Sequence, residues 1–166
     1  MNQNTSTTQT TAIPSILKII QIDYTAMLAV MFPIVIWGLY IAISYFGFLP
    51  GLRGRDPIQA SQGAPFFFYM GIAALVIGMP VLIWRVRSIQ SIFTNGVIVS
   101  GQIINIGFHR DRGRVEYSYH YEGQTYQVGN AIQKTKRTKT LNSGDEITVI
   151  VDPTNPKKAY IRELYM

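Results

Sequence analysis

The chain of 166 residues contains no cysteine. Disulfides, thiolate metal sites and prenyl or palmitoyl anchors are therefore excluded, and the redox compartment stays open. Histidine is nearly as scarce. His109 lies in the "FHRDRGR" stretch and His120 on an alternating segment. Neither falls in a long apolar run, so neither offers an axial ligand to a membrane-embedded haem, and without a nearby carboxylate cluster they make a poor metal site. No H-E-x-x-H, phosphate-binding G-x-x-x-x-G-K-S/T or nucleophile-elbow G-x-S-x-G occurs. Asp145 and Glu146 are neighbours that a strand would point to opposite faces. Asp152 and Asn155 suit turns better than calcium coordination. These absences predict no catalytic residues, no cofactor and no metal, and hence a protein that is not an enzyme.

Charge is also in short supply, at 14% of residues against about 25% in ordinary soluble domains. The deficit is local: no charged residue occurs between Ala26 and Phe48 or between Pro57 and Trp84. Each tract contains an apolar stretch of about 20 residues, the length that crosses a bilayer as a helix. The first run is too long for a signal-peptide core, and the polar segment before it is longer than the usual charged n-region. Neither tract carries Asp, Glu, Lys, Arg or His, which argues against an ion or proton path through this chain alone.

Ahead of the first tract, residues 1–12 are rich in Ser, Thr, Asn and Gln and have too little apolar surface to order themselves. "SILKIIQIDYT" follows. Ser15, Lys18, Gln21 and Thr25 form a narrow polar stripe at helical spacing. The segment fits either an interfacial helix or, with slight preference, the first turns of the first membrane helix. Gly38 and Ala42, and Ala74 and Gly78, are small residues four apart, a spacing that lets helices approach closely in lipid or dock another subunit. Pro33 and Pro80 are expected to kink their helices. The loop between the helices holds Arg53 and Arg55. Lys18, Arg85 and Arg87 flank the other side. Three cations against two place both termini in the cytoplasm by the positive-inside rule.

After Trp84 the helical spacing continues through Val86, Ile89, Ile92 and Phe93 to Asn95-Gly96, where glycine is expected to accept a left-handed helix stop. The period then becomes two. Strands are expected near 97–107, 114–121, 125–133, 146–151 and 159–164, with turns at "YEGQT", "LNSGDE" and "VDPTNPKK". In "VEYSYHYEGQTYQV", Val115, Tyr117, Tyr119 and Tyr121 share one face and Glu116, Ser118, His120 and Glu122 the other. The tyrosine face reads as the inside of a small barrel rather than a base-stacking platform.

The expected architecture is therefore a membrane protein, a two-helix transmembrane hairpin followed by a small all-β domain, about five-stranded and barrel-like. Residues 1–25 would be a polar tail and amphipathic lead-in. Residues 26–94 would be the hairpin, with helices at about 26–48 and 66–94 and a loop at 49–65. Residues 95–166 would be the β domain.

One pattern extends from Gly96 to Ala159. It comprises Gly101-x-Ile103, Val115-x-Tyr117-x-Tyr119, Gly123-x-x-Tyr126 and Leu141-x-x-Gly144-Asp145, then G-D-x-I-x-V-x-V-D-P-x-N-P from Gly144 to Pro156, and closes x-x-Ala159. It resembles a bacterial family of membrane-anchored domains of unknown function, small β domains tethered to one or two membrane helices. Val151 departs from the aromatic residue that often precedes Asp-Pro in similar sequences. The resemblance implies the architecture and a bacterial cytoplasmic (inner) membrane location. It implies no chemistry.

Net charge is +6, and residues 85–166 hold twelve Lys or Arg against seven Asp or Glu. Two basic clusters stand out: Arg110, Arg112 and Arg114, and Lys134, Lys136, Arg137 and Lys139. Their ordinary reading is the basic bias of a cytoplasmic surface. Contact with membrane lipid headgroups is the sharper one, and nucleic acid is the disfavoured partner, since no recognition signature accompanies the charge. The expectation is a non-catalytic accessory or scaffolding subunit, whose partners are other membrane protein subunits and lipids. The alternative is a membrane-tethered basic β module that binds anionic lipid headgroups or nucleic acid.

Overall fold

A computed structural model describes residues 13–51 and 56–166. The polar tail 1–12 and the loop arginines Arg53 and Arg55 lie outside the described residues. The chain divides into two compact units. One is the hairpin, Tyr24–Val86. The other, the module, combines residues 13–23 with Arg87–Met166.

The hairpin consists of α2 (Tyr24–Phe46) and the first part of α3 (Ala60–Asn95), after a short helix α1 (Ile16–Ile22) that belongs to the module. Both long helices are apolar enough to cross a membrane, and only 17% of the most apolar window of each is buried. Ile41, Val76 and Ile77 are each more than 60% exposed. A water-facing helix would carry polar residues there, so lipid is the solvent consistent with these faces. The connection is tighter than the expected loop 49–65. β1 (Phe48–Leu49) and β2 (Ile58–Gln59) pair antiparallel, and α3 starts at Ala60 rather than near residue 66. The Ala60 amide donates to Gly47 O at 2.8 Å, and Gly47 has φ +79°, so glycine turns the chain out of α2.

Within the hairpin, α3 meets α2 through small residues. A Cβ at Gly78 would lie 2.9 Å from Ala29 O and 3.3 Å from the Pro33 ring. At Gly71 it would meet the Trp37 indole at 2.9 Å. Ala74 between them is buried. Gly38 is exposed, with nothing within 4 Å of its Cβ position, and Ala42 is half-buried. The close approach runs along Gly71, Ala74 and Gly78 on α3, and Gly38 is turned away from it.

The module is built on a five-stranded antiparallel sheet in the order β5-β4-β3-β6-β7. The strands are β3 (Val97–His109), β4 (Arg112–Tyr121), β5 (Gln124–Gln133), β6 (Glu146–Asp152) and β7 (Asn155–Ile161). The long central strand β3 pairs with β6 through its first half and with β4 through its second. A register shift between Ile103 and Asn105 adds local twist where the partners change. At Gly101 a Cβ would lie 2.8 Å from both Ser118 O and a Val149 methyl. The bare backbone lets the two halves of the sheet curl towards each other, so that β5 and β7 come together and the sheet nearly closes as a barrel. The β4–β5 hairpin turns through Glu122 (φ +50°) and Gly123 (φ +76°), the two left-handed residues of a twist-matched turn.

Three local expectations are corrected. Gly96 does not adopt a left-handed conformation. Its amide closes the helix on Ile92 O, and a Cβ there would meet Ile92 O at 2.4 Å and Val151 O at 2.9 Å, so glycine is needed for space. The last strand begins at Asn155 and stops at Ile161. Within "VDPTNPKK" a single turn at Asp152–Asn155 leads straight into the strand, and Pro156 is tolerated because β7 is an edge strand. Residues Arg162–Tyr165 form a short helix α4 that buries Leu164 and Tyr165, with Tyr165 5.6 Å from the Phe93 ring at the end of α3.

The preference for a continuous first helix is also overturned. α1 ends at Ile22, and Asp23 forms an isolated antiparallel bridge with Ile132 of β5. Ile19 and Ile22 are buried in the module, and Ile13, Ile16 and Leu17 are exposed.

Gly101→Ala is expected to destabilise the module by about 1–3 kcal/mol through overpacking against backbone. Denaturant unfolding of the protein in mild detergent, followed by near-UV signal from the module tyrosines, measures it. An unchanged midpoint would contradict the role assigned to Gly101.

Candidate functional site

The tyrosine face of β4 lines the interior. Tyr117 is fully buried and Tyr119 is 3% exposed. The Tyr117 hydroxyl lies 2.7 Å from Ala159 O of β7 and 2.6 Å from the Asn130 side chain of β5. One hydroxyl proton serves one acceptor, so the pair is satisfied when Tyr117 donates to Ala159 O and the Asn130 amide turns its NH2 towards Tyr117. The Tyr119 hydroxyl donates to Pro156 O, also on β7. Tyr119 stacks on Tyr126 with ring centroids 5.8 Å apart. These side chains join β4 and β5 to β7 across the seam that ladder bonds leave open. Burial pushes the Tyr117 hydroxyl well above the ordinary tyrosine value, and the neighbouring Tyr119, Tyr165 and Tyr160 add to the rise. Burial followed by Tyr126 pushes Tyr119 up to about 12. The face is thus a filled core, and its ring surfaces are not a platform for bases.

The histidines and turn acids take structural or surface positions. His120 Nδ1 lies 2.8 Å from Thr125 Oγ1 on the outer face. His109 ends β3 at the surface. Asp152 Oδ1 accepts from the Thr154 hydroxyl at 2.7 Å and from the Thr154 amide at 2.9 Å, and the hydroxyl bond is the main cause holding this carboxyl below its usual value. Among the described residues no group of three or more His, Asp or Glu is placed to hold a metal.

The two basic clusters come to one end of the sheet, because Arg112 pairs with Gln133 and the Lys134 amide donates to Asp111 O. Their side chains do different things. Arg110 occupies the β3–β4 turn at φ +54°. Arg112 is exposed at the start of β4. Arg114 binds Glu116 at 3.0 Å and lies over Gly129, where a Cβ would meet its guanidinium at 2.8 Å. Lys134 sits over the Phe108 ring at 5.9 Å. Lys139 is exposed on the short 3-10 turn Thr138–Thr140.

Lys136 and Arg137 converge with a residue from the other end of the chain. Together with Lys18, Gln21 and Ile22 of α1, and with Gln133 and Thr135, they line an open groove of about 410 Å³. Three of its lining side chains are cationic and none is acidic. The groove is rigidly framed. Gln133 Nε2 donates to Ile20 O at 2.6 Å, tying β5 to α1. The buried Thr138 hydroxyl donates to Gln133 O at 2.7 Å and accepts from the Thr135 amide at 2.8 Å, and this fold of the loop holds Lys136 and Arg137 outward. Arg137 Nη1 donates to Met166 O at 2.9 Å. Sequence reading grouped Lys136 and Arg137 with Lys134 and Lys139 and missed Lys18 as their partner. Its only signal was a place on the polar stripe of an amphipathic segment.

Comparison with known families shows that residues 94–164 are similar to the domain of unknown function DUF3592. The match takes in the end of α3, all five strands of the large sheet and most of α4, and leaves the hairpin outside. No curated protein and no solved structure matches the chain.

Two outcomes follow for the module. Tyr117 and Tyr119 hold their protons more tightly folded than unfolded, where the usual value is 10.0. Stability is therefore full below about pH 10 and falls as pH rises from there towards about 12. A pH series of denaturant midpoints checks the sign, and Tyr117→Phe should flatten the fall while lowering stability at neutral pH by about 1–3 kcal/mol. Thr138→Val should cost about 1–3 kcal/mol, because the Thr135 amide and Gln133 carbonyl lose their short bonds to the hydroxyl and keep only the 3.1 Å bond to each other. A thermal midpoint equal to that of the parent would contradict the framing role of Thr138.

Proposed function

We propose that the chain is a non-catalytic integral membrane protein, an accessory or scaffolding subunit that helps hold a larger membrane assembly together. The observation that carries this reading is the filled interior of the module. Tyr117, Tyr119 and the aliphatic residues of β3, β4, β6 and β7 occupy the space that a substrate would need, and the groups left to meet other molecules lie on outer surfaces. The hairpin adds such a surface, since Gly38 faces away from the α2–α3 contact with open space above it. Small residues on a lipid-facing helix allow a second membrane helix to approach closely. The counts of Lys and Arg favour both termini, and with them the module, on the cytoplasmic side of a bacterial inner membrane.

A second reading, a membrane-tethered basic module for anionic lipid or nucleic acid, is favoured by the convergence of Lys18, Lys136 and Arg137 in one groove. Lipid is the better of the two occupants, because among the described residues that line the groove none is an aromatic on which a base would stack.

Mild-detergent extraction of native membranes, followed by native electrophoresis and mass spectrometry of co-migrating chains, tests the subunit reading. The expected result is a stable assembly containing other membrane proteins, weakened by Gly38→Leu with the module's thermal unfolding unchanged. Migration alone or as a small homo-oligomer would overturn it.

A further inference from the structure

We propose that the groove between α1 and the loop after β5 is a binding site for the phosphate of an anionic phospholipid headgroup, with α1 supplying the apolar contact beside it. This deepens the lipid-binding reading above and rests on it, and it stands without the subunit reading. It also needs the hairpin to occupy a membrane.

Four observations converge. Lys18 reaches the groove from α1, and Lys136 and Arg137 reach it from a loop more than a hundred residues later, so the cluster is made by folding and not by a run of sequence. Among the described residues that line it, none is acidic. Asp23, which caps the end of α1, is 1% exposed and bridges through its backbone to Ile132. The cations stand on a fixed frame, given by the Gln133–Ile20 bond and the Thr135–Thr138 bonds, so little ordering is required when an anion enters. Arg137 Nη1 donates to Met166 O at 2.9 Å, so part of its charge is already shared, and Lys18 and Lys136 are the principal cations of the groove.

The fourth observation separates a lipid from a soluble phosphate. Ile13, Ile16 and Leu17 are 59%, 53% and 73% exposed on and just before the same short helix, whose other face buries Ile19 and Ile22. A site for a water-soluble anion has no use for three large aliphatic side chains held in water beside it. A site at a bilayer surface does, because they enter the headgroup–acyl boundary while the lysine above them snorkels to the phosphate. Chain connectivity keeps the site there. Tyr24, the first residue of α2, is six positions after Lys18, and six residue steps reach at most about 20 Å.

The test uses the full chain in neutral detergent micelles, with bound adducts read by native mass spectrometry. The probes are phosphatidylglycerol, phosphatidylcholine with the same acyl chains, inorganic phosphate and a short single-stranded oligonucleotide. Phosphatidylglycerol should bind more tightly than phosphatidylcholine. Replacing the three cations together (Lys18→Gln, Lys136→Gln, Arg137→Gln) should weaken it on the order of 100-fold, as three near-surface cations of ordinary strength imply. A matched charge loss elsewhere on the module (Arg110→Gln, Arg112→Gln, Lys157→Gln) should leave its affinity close to that of the parent. Should the triple variant not fold, the single reversal Lys136→Glu at an exposed position should weaken binding on the order of 10-fold or more by the same arithmetic. Equal losses in the groove and matched variants, or equal affinity for the two lipids, would overturn the site. Inorganic phosphate bound as tightly as the lipid would make it a soluble-anion site. Displacement of the lipid by the oligonucleotide would reassign it to nucleic acid.

Discussion

The module depends on the hydroxyl of Tyr117. A five-stranded sheet with order β5-β4-β3-β6-β7 has two edges, and edges offer unpaired backbone groups to any passing strand. Here β3 curls at Gly101 and at the register shift after Ile103, which brings the edges together. Ladder bonds do not complete the closure. Tyr117 and Tyr119 do, by reaching from β4 to the carbonyls of Ala159 and Pro156 on β7. Phenylalanine would fill the same volume and leave those carbonyls unpaired. A polar handle on a large apolar ring is what this seam requires.

That closure decides where function can reside. With its interior filled, the module has only its outer surface to offer, and the covalent frame restricts which part of it meets other molecules. α3 has 36 residues and is about 54 Å long, more than a hydrocarbon core of about 30 Å requires, and its residues from Arg87 onward belong to the module. α1 is tied to the same module by the Asp23–Ile132 bridge and the Gln133–Ile20 bond. The module is thus attached through two chain segments, and the groove lies on the one that is also apolar on its exposed side.

Much of this was legible in the sequence. Charge-free tracts marked both long helices, and the period-two tyrosines marked an inner strand face. β3, β4, β5 and β6 fall within three residues of the ends expected for them. What escaped has specific causes. Helical spacing cannot separate α1 from α2, because the break at Asp23 is made by a tertiary bridge to Ile132. The two-residue strands β1 and β2 carry no alternation to detect, so α3 was started late. Gly96 looked like a left-handed stop because its real constraint, the nearness of Ile92 O and Val151 O, is spatial. Small residues four apart recur on both helices, yet only the packed structure tells Gly78, against Ala29, from Gly38, against nothing. The groove was invisible because no local pattern joins Lys18 to Lys136 and Arg137.

The claim on which the account turns is that the tyrosine face is a sealed core. Its most direct test is chemical modification of the folded protein, in mild detergent at neutral pH, with a water-soluble tyrosine nitrating reagent and peptide mapping of the products. The account predicts that Tyr117 and Tyr119 stay unmodified while the chain remains folded, and react once it is unfolded in denaturant. Nitration of Tyr117 in the folded protein at the rate of an exposed tyrosine would show that the interior admits solutes, and the assignment of function to the outer surface would fall with it.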